Sequence, residues 1–308
     1  MPRLSLTQVF RNALSSRILS GGGIADRPGG QFRPDATAWG ILAMRTSGSG
    51  PDVLEPHQTR LRAEQEPDGR IAINKDHLDT YWPTALAILA WHDSPLSRNA
   101  QQLAATFLLD STGVHYRRRS DEPAGHDTQL KGWPWVSGTH SWIEPTVASV
   151  LALRLSGYGQ HDRVREAIKM ILDRQLPHGG WNYGNSFVFE RELRPMPEST
   201  GAALAALAGS VDTTTVTRSL EYLQGEIDRL RTPVSLGWSL LGLRAWQRWP
   251  KHATGLVERC LASQTRYGTY ETSALCLLFL AALERESGVA LRFLPDGSKT
   301  GMTEGNQG

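Results

Sequence analysis

Six short segments of the chain are apolar at nearly every position, and they recur along its whole length. They cover residues 37–44, 84–91, 146–153, 200–207, 236–243 and 273–280. A helix without a polar stripe has to be buried on all sides, so we expect all six segments inside the structure. Their many Ala and Gly residues allow neighbouring backbones to approach each other closely.

More polar segments, with apolar residues at helical spacing, lie between the apolar ones. They cover residues 4–19, 53–64, 96–109, 163–174, 215–230 and 252–263. No run of alternating β-branched residues competes with this assignment, which makes a sheet improbable. An open stack of such hairpins would expose one face of each apolar helix, so closure is favoured. We therefore predict an all-α protein, a single (α/α)6 toroid of six helical hairpins over residues 1–293, with a disordered tail over 294–308.

Several of the predicted outer helices end in Gln, three residues, Gly, one residue and an aromatic side chain. The copies are Gln175/Gly179/Trp181, Gln264/Gly268/Tyr270 and, with Ile in the aromatic place, Gln65/Gly69/Ile71. Residues 26–32 keep only the Gly and the aromatic, and Gly132–Trp133 is degenerate. Such a motif ends a helix at a left-handed Gly while the Gln hydrogen-bonds free backbone groups, so it is a scaffold element.

This motif resembles the QW repeat of the squalene-hopene cyclase superfamily, and the hairpin count resembles that of protein prenyltransferase β subunits. The resemblance covers nearly the whole chain as a repeat pattern. It implies the α/α toroid of terpenoid cyclases. It also implies an apolar, aromatic-lined cavity in which an isoprenoid is protonated and the resulting carbocation cyclises.

Acidic residues stand at four of the six equivalent positions two residues before the aligned start of each apolar segment. The six residues are Asp35, Trp82, Glu144, Glu198, Val234 and Glu271. The inner helices of a toroid all run the same way, so these residues would surround one mouth of its cavity. Carboxylates there also favour the positive end of the helix dipole, by roughly 0.3–1 kcal/mol each. Several carboxylates around one cavity raise one another's pKa, which is how a proton donor is prepared.

Asp35 and Asp79 are the two candidates that the resemblance singles out as proton donors. Class II terpene cyclases use the middle Asp of Asp-x-Asp-Asp-Thr-Ala, and residues 33–38, Arg-Pro-Asp-Ala-Thr-Ala, keep that Asp, the Thr and the Ala. Both flanking acids are missing, and the non-catalytic repeat Ser-Gln-Thr-Ala-Trp fits residues 35–39 about as well. Residues 76–80, Asp-His-Leu-Asp-Thr, have outer acids, but this Thr lies four residues before the aligned Thr84.

Ten tryptophans are many for 308 residues. Aromatic faces stabilise cations by roughly 0.5–2 kcal/mol each, and the same faces stack on sugar rings. Packing in the core is the structural alternative for any one of them. We predict that six contact the substrate: Trp39, Trp82, Trp133, Trp135, Trp142 and Trp238.

Composition excludes several other classes of protein. The formal charge of +2 is small and dispersed, so we expect no nucleic-acid partner. Cys260 and Cys276 have no Cys/His cluster nearby, the Asp-x-Cys zinc pair of protein prenyltransferases is absent, and so is the aspartate-rich magnesium motif of class I terpene synthases. We therefore predict no metal and no cofactor. Few cysteines, no hydrophobic leader and no membrane span predict a cytoplasmic protein, with peripheral membrane contact left open.

Three functional hypotheses from different classes follow. The first is an isoprenoid cyclase-like enzyme acting on a small apolar substrate by proton-initiated carbocation cyclisation. The second is a glycan-active α/α-toroid hydrolase or lyase with two of the four acids as its catalytic pair. The third is a non-catalytic binding or scaffold relative of the cyclase repeat. An apolar cavity favours the first hypothesis and a wide polar groove the second. The sequence does not determine the oligomeric state.

Overall fold

The computed structural model describes residues 4–117, 125–188, 191–287, 291–295 and 297, apart from the side chains of 284–287. The described chain is mostly helical, as predicted. The helices are α1 (Leu6–Ser15), α2 (Pro34–Thr46), α3 (Pro51–Arg62), α4 (Trp82–Trp91), α5 (Arg98–Asp110), α6 (Ile143–Leu155), α7 (Asp162–Asp173), α8 (Pro197–Leu207), α9 (Thr213–Glu226), α10 (Pro233–Ala245), α11 (Ala253–Ala262), α12 (Gln264–Tyr267) and α13 (Thr272–Ser287). Strands β1 (Phe187–Val188) and β2 (Arg191–Glu192) form a short antiparallel pair.

Apart from the four-residue helix α12, the helices are of two kinds, which alternate along the chain. Helices α2, α4, α6, α8, α10 and α13 contain the six apolar segments and bury most of their described residues; we call them the inner helices. Helices α1, α3, α5, α7, α9 and α11 bury one face only; we call them the outer helices. The burial of each kind follows its hydrophobic pattern.

The inner helices contact one another in chain order, from α2 through α4, α6, α8 and α10 to α13, and α13 also contacts α2. Each of the outer helices α3, α5, α7, α9 and α11 contacts the inner helix before it and the inner helix after it, while α1 contacts α13. Every inner helix therefore contacts two other inner helices and at least one outer helix.

Glycine sets the distance between α8 and α10, the pair of inner helices in the most extensive contact. A Cβ atom on Gly242 would lie 2.4 Å from the carbonyl oxygen of Gly201. A Cβ atom on Gly201 would lie 2.3 Å from the carbonyl oxygen of Trp238. Any larger residue at either position would push the two backbones apart.

A threonine in the first turn of four inner helices holds the turn that precedes the helix. Its Oγ1 accepts a hydrogen bond of 2.9–3.0 Å from one backbone N–H of that turn. The same Oγ1 lies 3.2–3.4 Å from that residue's carbonyl oxygen. The pairs are Thr37 with Ile24, Thr84 with Ile71, Thr146 with Trp133, and Thr200 with Trp181. This contact explains why the threonine recurs.

The contact also corrects the first copy of the repeat motif. Ile24 occupies the place that Trp181 takes in the fourth hairpin, and Gly22 has φ of 80°, close to the 96° of Gly179. The copy therefore covers residues 18–24, and the assignment to residues 26–32 was wrong. Ile stands in both the Gln and the aromatic places there, which hides the copy in the sequence.

The described end of the chain packs against the body. Leu294 contacts the hydrophobic core, and the backbone N–H of Gly297 donates to the carbonyl oxygen of Ala245 at 2.7 Å. The rest of the tail predicted over 294–308, namely residue 296 and residues 298–308, lies outside the described residues. Among the described residues, every helix is too short or too polar to cross a membrane.

The threonine contact predicts a specific loss of stability. Thr84→Val keeps the shape of the side chain but leaves the backbone N–H of Ile71 buried without a partner, so the free energy of unfolding should fall by about 1–3 kcal/mol. Urea denaturation measures the change. Thr106→Val, which removes an exposed hydroxyl bonded only within α5, is the matched control and should change stability by less than about 0.5 kcal/mol. Equal losses in the two variants would contradict this role.

Candidate active site

A cavity of about 520 Å³ opens at the N-terminal ends of the inner helices and reaches about two turns along them; we call it the main cavity. Each inner helix contributes at least one side chain, and the wall is mostly apolar and aromatic. The lining residues are Trp39, Trp82, Leu86, Trp135, Trp142, Glu144, Pro145, Ala148, Tyr183, Glu198, Val234, Trp238, Ser273, Ala274 and Leu277.

Five of the six tryptophans predicted to bind substrate line the main cavity. Trp39 and Trp238, from α2 and α10, meet edge to face with ring centroids 5.9 Å apart. Trp82 and Trp135 meet in the same way at 5.6 Å. Such edge-to-face pairs hold the rings in fixed positions, so their faces are preorganised around whatever occupies the cavity.

Trp133, the sixth tryptophan of the prediction, lies elsewhere. It is fully buried in the turn before α6, where its indole N–H donates to the carbonyl oxygen of Leu108 at 2.8 Å. The Arg163 guanidinium lies 3.8 Å from the centroid of its ring. Trp133 has no place in the wall of the main cavity, because it fills the aromatic position of the third repeat motif and packs the hairpin.

Glu144, the second residue of α6, places a carboxyl group in the apolar wall. Oε1 accepts a hydrogen bond from the Ser199 hydroxyl, whereas Oε2 is buried and has no partner among the described residues. Burial raises the pKa of Glu144 to about 7, the hydrogen bond from Ser199 opposes the rise, and the charge of Glu198 adds to it. Glu144 can therefore hold a proton at a pH at which an ordinary glutamate is ionised.

Glu198, the second residue of α8, shares the cavity but has a different environment. Oε1 accepts from the Tyr183 hydroxyl at 3.0 Å, and Oε2 accepts from the Ser235 hydroxyl at 2.7 Å. Burial, and then the hydrogen bond to Glu198, raise the pKa of Tyr183, so the phenol keeps its proton. Two carboxyl groups with unequal partners in one cavity are suited to unequal roles, one as an acid and one as a carboxylate.

Asp35, the second residue of α2, is buried behind the wall of the main cavity. Arg33 donates to its two oxygens at 2.8 and 3.0 Å, and the Ser273 hydroxyl donates to Oδ2 at 2.9 Å. Ser273 lines the cavity, so Asp35 reaches it only through that hydroxyl. Both oxygens are occupied by donors, which leaves neither directed at a substrate.

Glu271 and Asp79, the two other predicted acids, are exposed and lie away from the main cavity. Glu271 pairs with Arg27 at 3.2 Å, just before α13 begins. Asp79 lies in the loop before α4, where its backbone carbonyl accepts from the N–H of Ser137 at 2.8 Å. Of the acids predicted to surround the mouth, the structure therefore brings Glu144 and Glu198 together at the wall.

Three further residues belong to the site and were not predicted from the sequence: Tyr183, Ser199 and Ser235. The two serines lie in the first turns of α8 and α10, where serine is common for reasons of helix capping alone, so they carry no signal. Tyr183, by contrast, left a signal in the spacing of the chain. The aromatic place of the motif and the threonine bonded to it are 13 residues apart in three hairpins but 19 apart in the fourth. The longer turn carries Tyr183.

The described residues offer no metal centre. No group of three or more His, Cys, Asp or Glu side chains in that part of the chain is arranged to hold an ion. Cys260 and Cys276 are both free and buried. The polar groups that line the main cavity are carboxyl, hydroxyl and indole groups.

No family model matches the chain, and no curated protein does. The fold is similar to that in a crystal structure of a protein from Actinoplanes, with a TM-score of 0.55 and 13% sequence identity. The match covers 92% of this chain and 99% of that chain. At this level of identity, the likeness shows the fold alone.

The environment of Glu144 predicts its titration. We expect its carboxyl carbon to titrate near pH 7 in a ¹³C NMR experiment. Ser199→Ala removes a donor to the ionised form and should raise the pKa further, whereas Glu198→Gln removes a neighbouring negative charge and should lower it. Glu271→Gln, at the exposed acid, is the control and should leave the titration unchanged. A midpoint near the ordinary 4.5 in the wild-type protein would contradict the assignment.

Proposed function

We propose that the protein is a terpene cyclase-like enzyme that binds an isoprenoid in the main cavity and starts its cyclisation by proton transfer from Glu144. One observation carries the proposal. Glu144, whose Oε2 is buried without a partner among the described residues, lies in the wall of an apolar cavity lined by five tryptophans. A substrate with few polar atoms matches such a wall, because it removes apolar surface from water without leaving its own polar groups unpaired.

We propose the (α/α)6 toroid of terpenoid cyclases as the architecture. The order of contacts supports it, because each inner helix contacts the next and the last contacts the first. The position of the main cavity, with side chains from the N-terminal half of every inner helix, also supports parallel inner helices around one axis. The full-length triterpene cyclases have two toroids. In this chain, the inner helices of one proposed toroid line a cavity of about 520 Å³.

The proposed first step moves one proton. The carboxyl group of Glu144 transfers it to an alkene carbon or an epoxide oxygen of the substrate. The alkene π pair forms the new bond to hydrogen, or the epoxide C–O bond breaks toward oxygen, and a carbocation results. The Ser199 hydroxyl then stabilises the Glu144 carboxylate left behind. A carboxyl group with a pKa near 7 is a moderate acid, so the more basic epoxide oxygen is the favoured acceptor.

The later steps use the rest of the wall. A second alkene of the substrate attacks the cation and closes a ring, and the tryptophan faces stabilise the positive charge as it moves. The final cation loses a proton to the Glu198 carboxylate, which restores neutrality in the product. Glu144 and Glu198 regain their starting states by exchange with water at the mouth of the cavity.

The pair of Glu144 and Glu198 also supports a second candidate, a glycan-active enzyme that uses one as acid and the other as base or nucleophile. The apolar wall weighs against this candidate, because a sugar would bury many hydroxyl groups with few partners. The third hypothesis, a binding protein without catalysis, would leave the unpartnered oxygen of Glu144 without a role.

We also propose that the protein is located in the cytoplasm, as predicted from the sequence. Its two free cysteines support this location.

The proposal predicts a product labelled by solvent. Incubated in D₂O with linear prenyl alkenes and their terminal epoxides, the wild-type protein should form a cyclic isomer detectable by gas chromatography and mass spectrometry. An alkene-initiated product should carry one non-exchangeable deuterium. Glu144→Gln keeps the shape of the side chain and removes the acid, so turnover should fall by about a hundredfold or more.

The matched control is Asp79→Asn, which neutralises an exposed acid outside the main cavity and should leave turnover unchanged. Full activity of Glu144→Gln would refute the role of this residue, and Asp35→Asn would then be the next variant to assay. Tight binding of isoprenoids with no product would identify the non-catalytic alternative. Hydrolysis or elimination of a polysaccharide that depends on both Glu144 and Glu198 would identify the glycan-active one.

The tryptophans predict a graded effect. Trp238→Phe keeps an aromatic face in the wall, whereas Trp238→Leu keeps only apolar volume. If the ring stabilises a cation, the Leu variant should turn over about twofold to thirtyfold more slowly than the Phe variant, the range that corresponds to about 0.5–2 kcal/mol. Initial rates at saturating substrate measure the difference. Equal rates would assign Trp238 to shape alone.

A further inference from the structure

A second cavity, of about 230 Å³, lies beside the C-terminal end of α7; we call it the His-Arg pocket. Its walls come from residues 114–116, 126 and 128 after α5, from His140 before α6, and from Arg174 and Asn185 after α7. Three histidines and an arginine line it, with hydroxyl and amide groups between them: His115, His126, His140, Arg174, Thr128 and Asn185. Among the described residues, no carboxylate contributes to this wall.

Arg174 supplies the charge of the His-Arg pocket. The side chain is 3% exposed, and its Nη1 donates to the carbonyl oxygen of Ser141 at 2.6 Å. Its Nε is buried and has no partner among the described residues, nor does any described carboxylate lie within 4 Å of the guanidinium. Burial lowers the pKa of Arg174 to about 10, so the group stays cationic at neutral pH. The nearby charge of Asp173 offsets this burial only in part, and a buried cation with no carboxylate in direct contact is stabilised when an anion joins it.

His140 supplies a second free nitrogen. Its Nε2 is buried and has no partner among the described residues. The ring packs against Trp142 with centroids 4.2 Å apart and an angle of 36° between the planes, which fixes its orientation. Burial, and then the charge of Arg174, lower the pKa of His140, so the ring is neutral at neutral pH and can carry one N–H donor.

His115 and Ser141 hold these donors in place. The Nδ1 of His115 lies 3.2 Å from the carbonyl oxygen of Thr128, which can only accept, so Nδ1 carries the proton. The Nε2 of His115 can then accept from the Ser141 hydroxyl at 3.3 Å. The carbonyl of the same serine binds Arg174, so the histidine, the serine and the arginine form one connected network. A network of this kind preorganises a binding site.

We propose that the His-Arg pocket binds a phosphoryl oxyanion, with Arg174 and His140 as its donors. A guanidinium and a nearby imidazole in one wall, without an acid beside them, match the oxygens of a phosphate group. The described His, Cys, Asp and Glu side chains form no metal-binding group here, so the three histidines do not form a metal site. The backbone at Gly184 leaves room for the network, because a Cβ atom there would lie 3.3 Å from Arg174 Nη1.

The pocket adjoins the main cavity at Trp142. This residue lines the main cavity, and its ring contacts His140, which lines the pocket. The oxyanion therefore has two sources, either free phosphate or diphosphate, or the phosphorylated end of a molecule whose apolar part occupies the main cavity. The second source rests on the proposed function, whereas the oxyanion site itself does not.

Isothermal titration of the full chain with inorganic phosphate and with pyrophosphate tests the site. We expect saturable binding of at least one of them to the wild-type protein. Arg174→Gln and His140→Phe should each weaken it by about tenfold or more, as expected for loss of a charge-assisted or a buried hydrogen bond. His140→Phe keeps the aromatic contact with Trp142, so it separates the donor nitrogen from the packing.

Arg165→Gln is the matched control, because it removes the same charge from the exposed surface of α7 and should leave binding unchanged. Circular dichroism and thermal melts establish that each variant folds. Arg174 is buried, so His140→Phe decides the question if Arg174→Gln does not fold. The proposal is overturned if neither anion binds at millimolar concentration, or if His140→Phe and every folded Arg174 variant bind as the wild-type protein does.

A third titration distinguishes the two sources. If farnesyl diphosphate binds more tightly than pyrophosphate, and Trp142→Ala removes the difference, the anion is the head group of a ligand that extends into the main cavity. Equal affinities assign the pocket to a free oxyanion and leave the site itself established. If the protein binds phosphate but has no cyclase activity, the proposed function is contradicted while the oxyanion site is not.

Discussion

The hydrogen bonds between the first-turn threonines and the preceding turns determine where the functional side chains lie. Each threonine satisfies a backbone N–H and lies against the carbonyl of one buried residue, so the turn cannot move without leaving polar groups unpaired. The residues just before and after the threonine are thereby fixed at the end of the inner helix. Glu144 and Glu198 both stand two residues before such a threonine, which is why two remote parts of the chain meet at one cavity.

Much of the fold could be predicted from the sequence because fully buried helices and half-buried helices differ in their pattern of apolar and polar residues. The inner segments lack a polar stripe and the outer ones have one, and the structure follows this pattern helix by helix. The first motif copy was missed because isoleucine can fill the same space as an aromatic side chain. With Ile in both the Gln and the aromatic places, the sequence no longer matches the motif. Trp133 was misplaced for the opposite reason, since a tryptophan reads the same in a sequence whether it packs a turn or lines a cavity.

The candidate site could be predicted less well, because its chemistry depends on partners rather than on residue types. Asp35 and Glu144 occupy equivalent positions in their helices and look alike in the sequence. Asp35 meets the guanidinium of Arg33, whereas Glu144 meets a single hydroxyl and an apolar wall. Those contacts depend on side-chain directions across helices that are distant in the chain, and hydrophobic periodicity carries no information about them.

The longer turn of the fourth hairpin has an implication for how this scaffold can diversify. Its six extra residues, relative to the 13-residue spacing elsewhere, emerge between two anchored points, Trp181 and Thr200. Insertions between fixed ends change the residues beside the mouth of the main cavity without disturbing the packing of the helices. The lining of the cavity can therefore change through the length and content of one loop, while the helices that carry the carboxyl groups remain as they are.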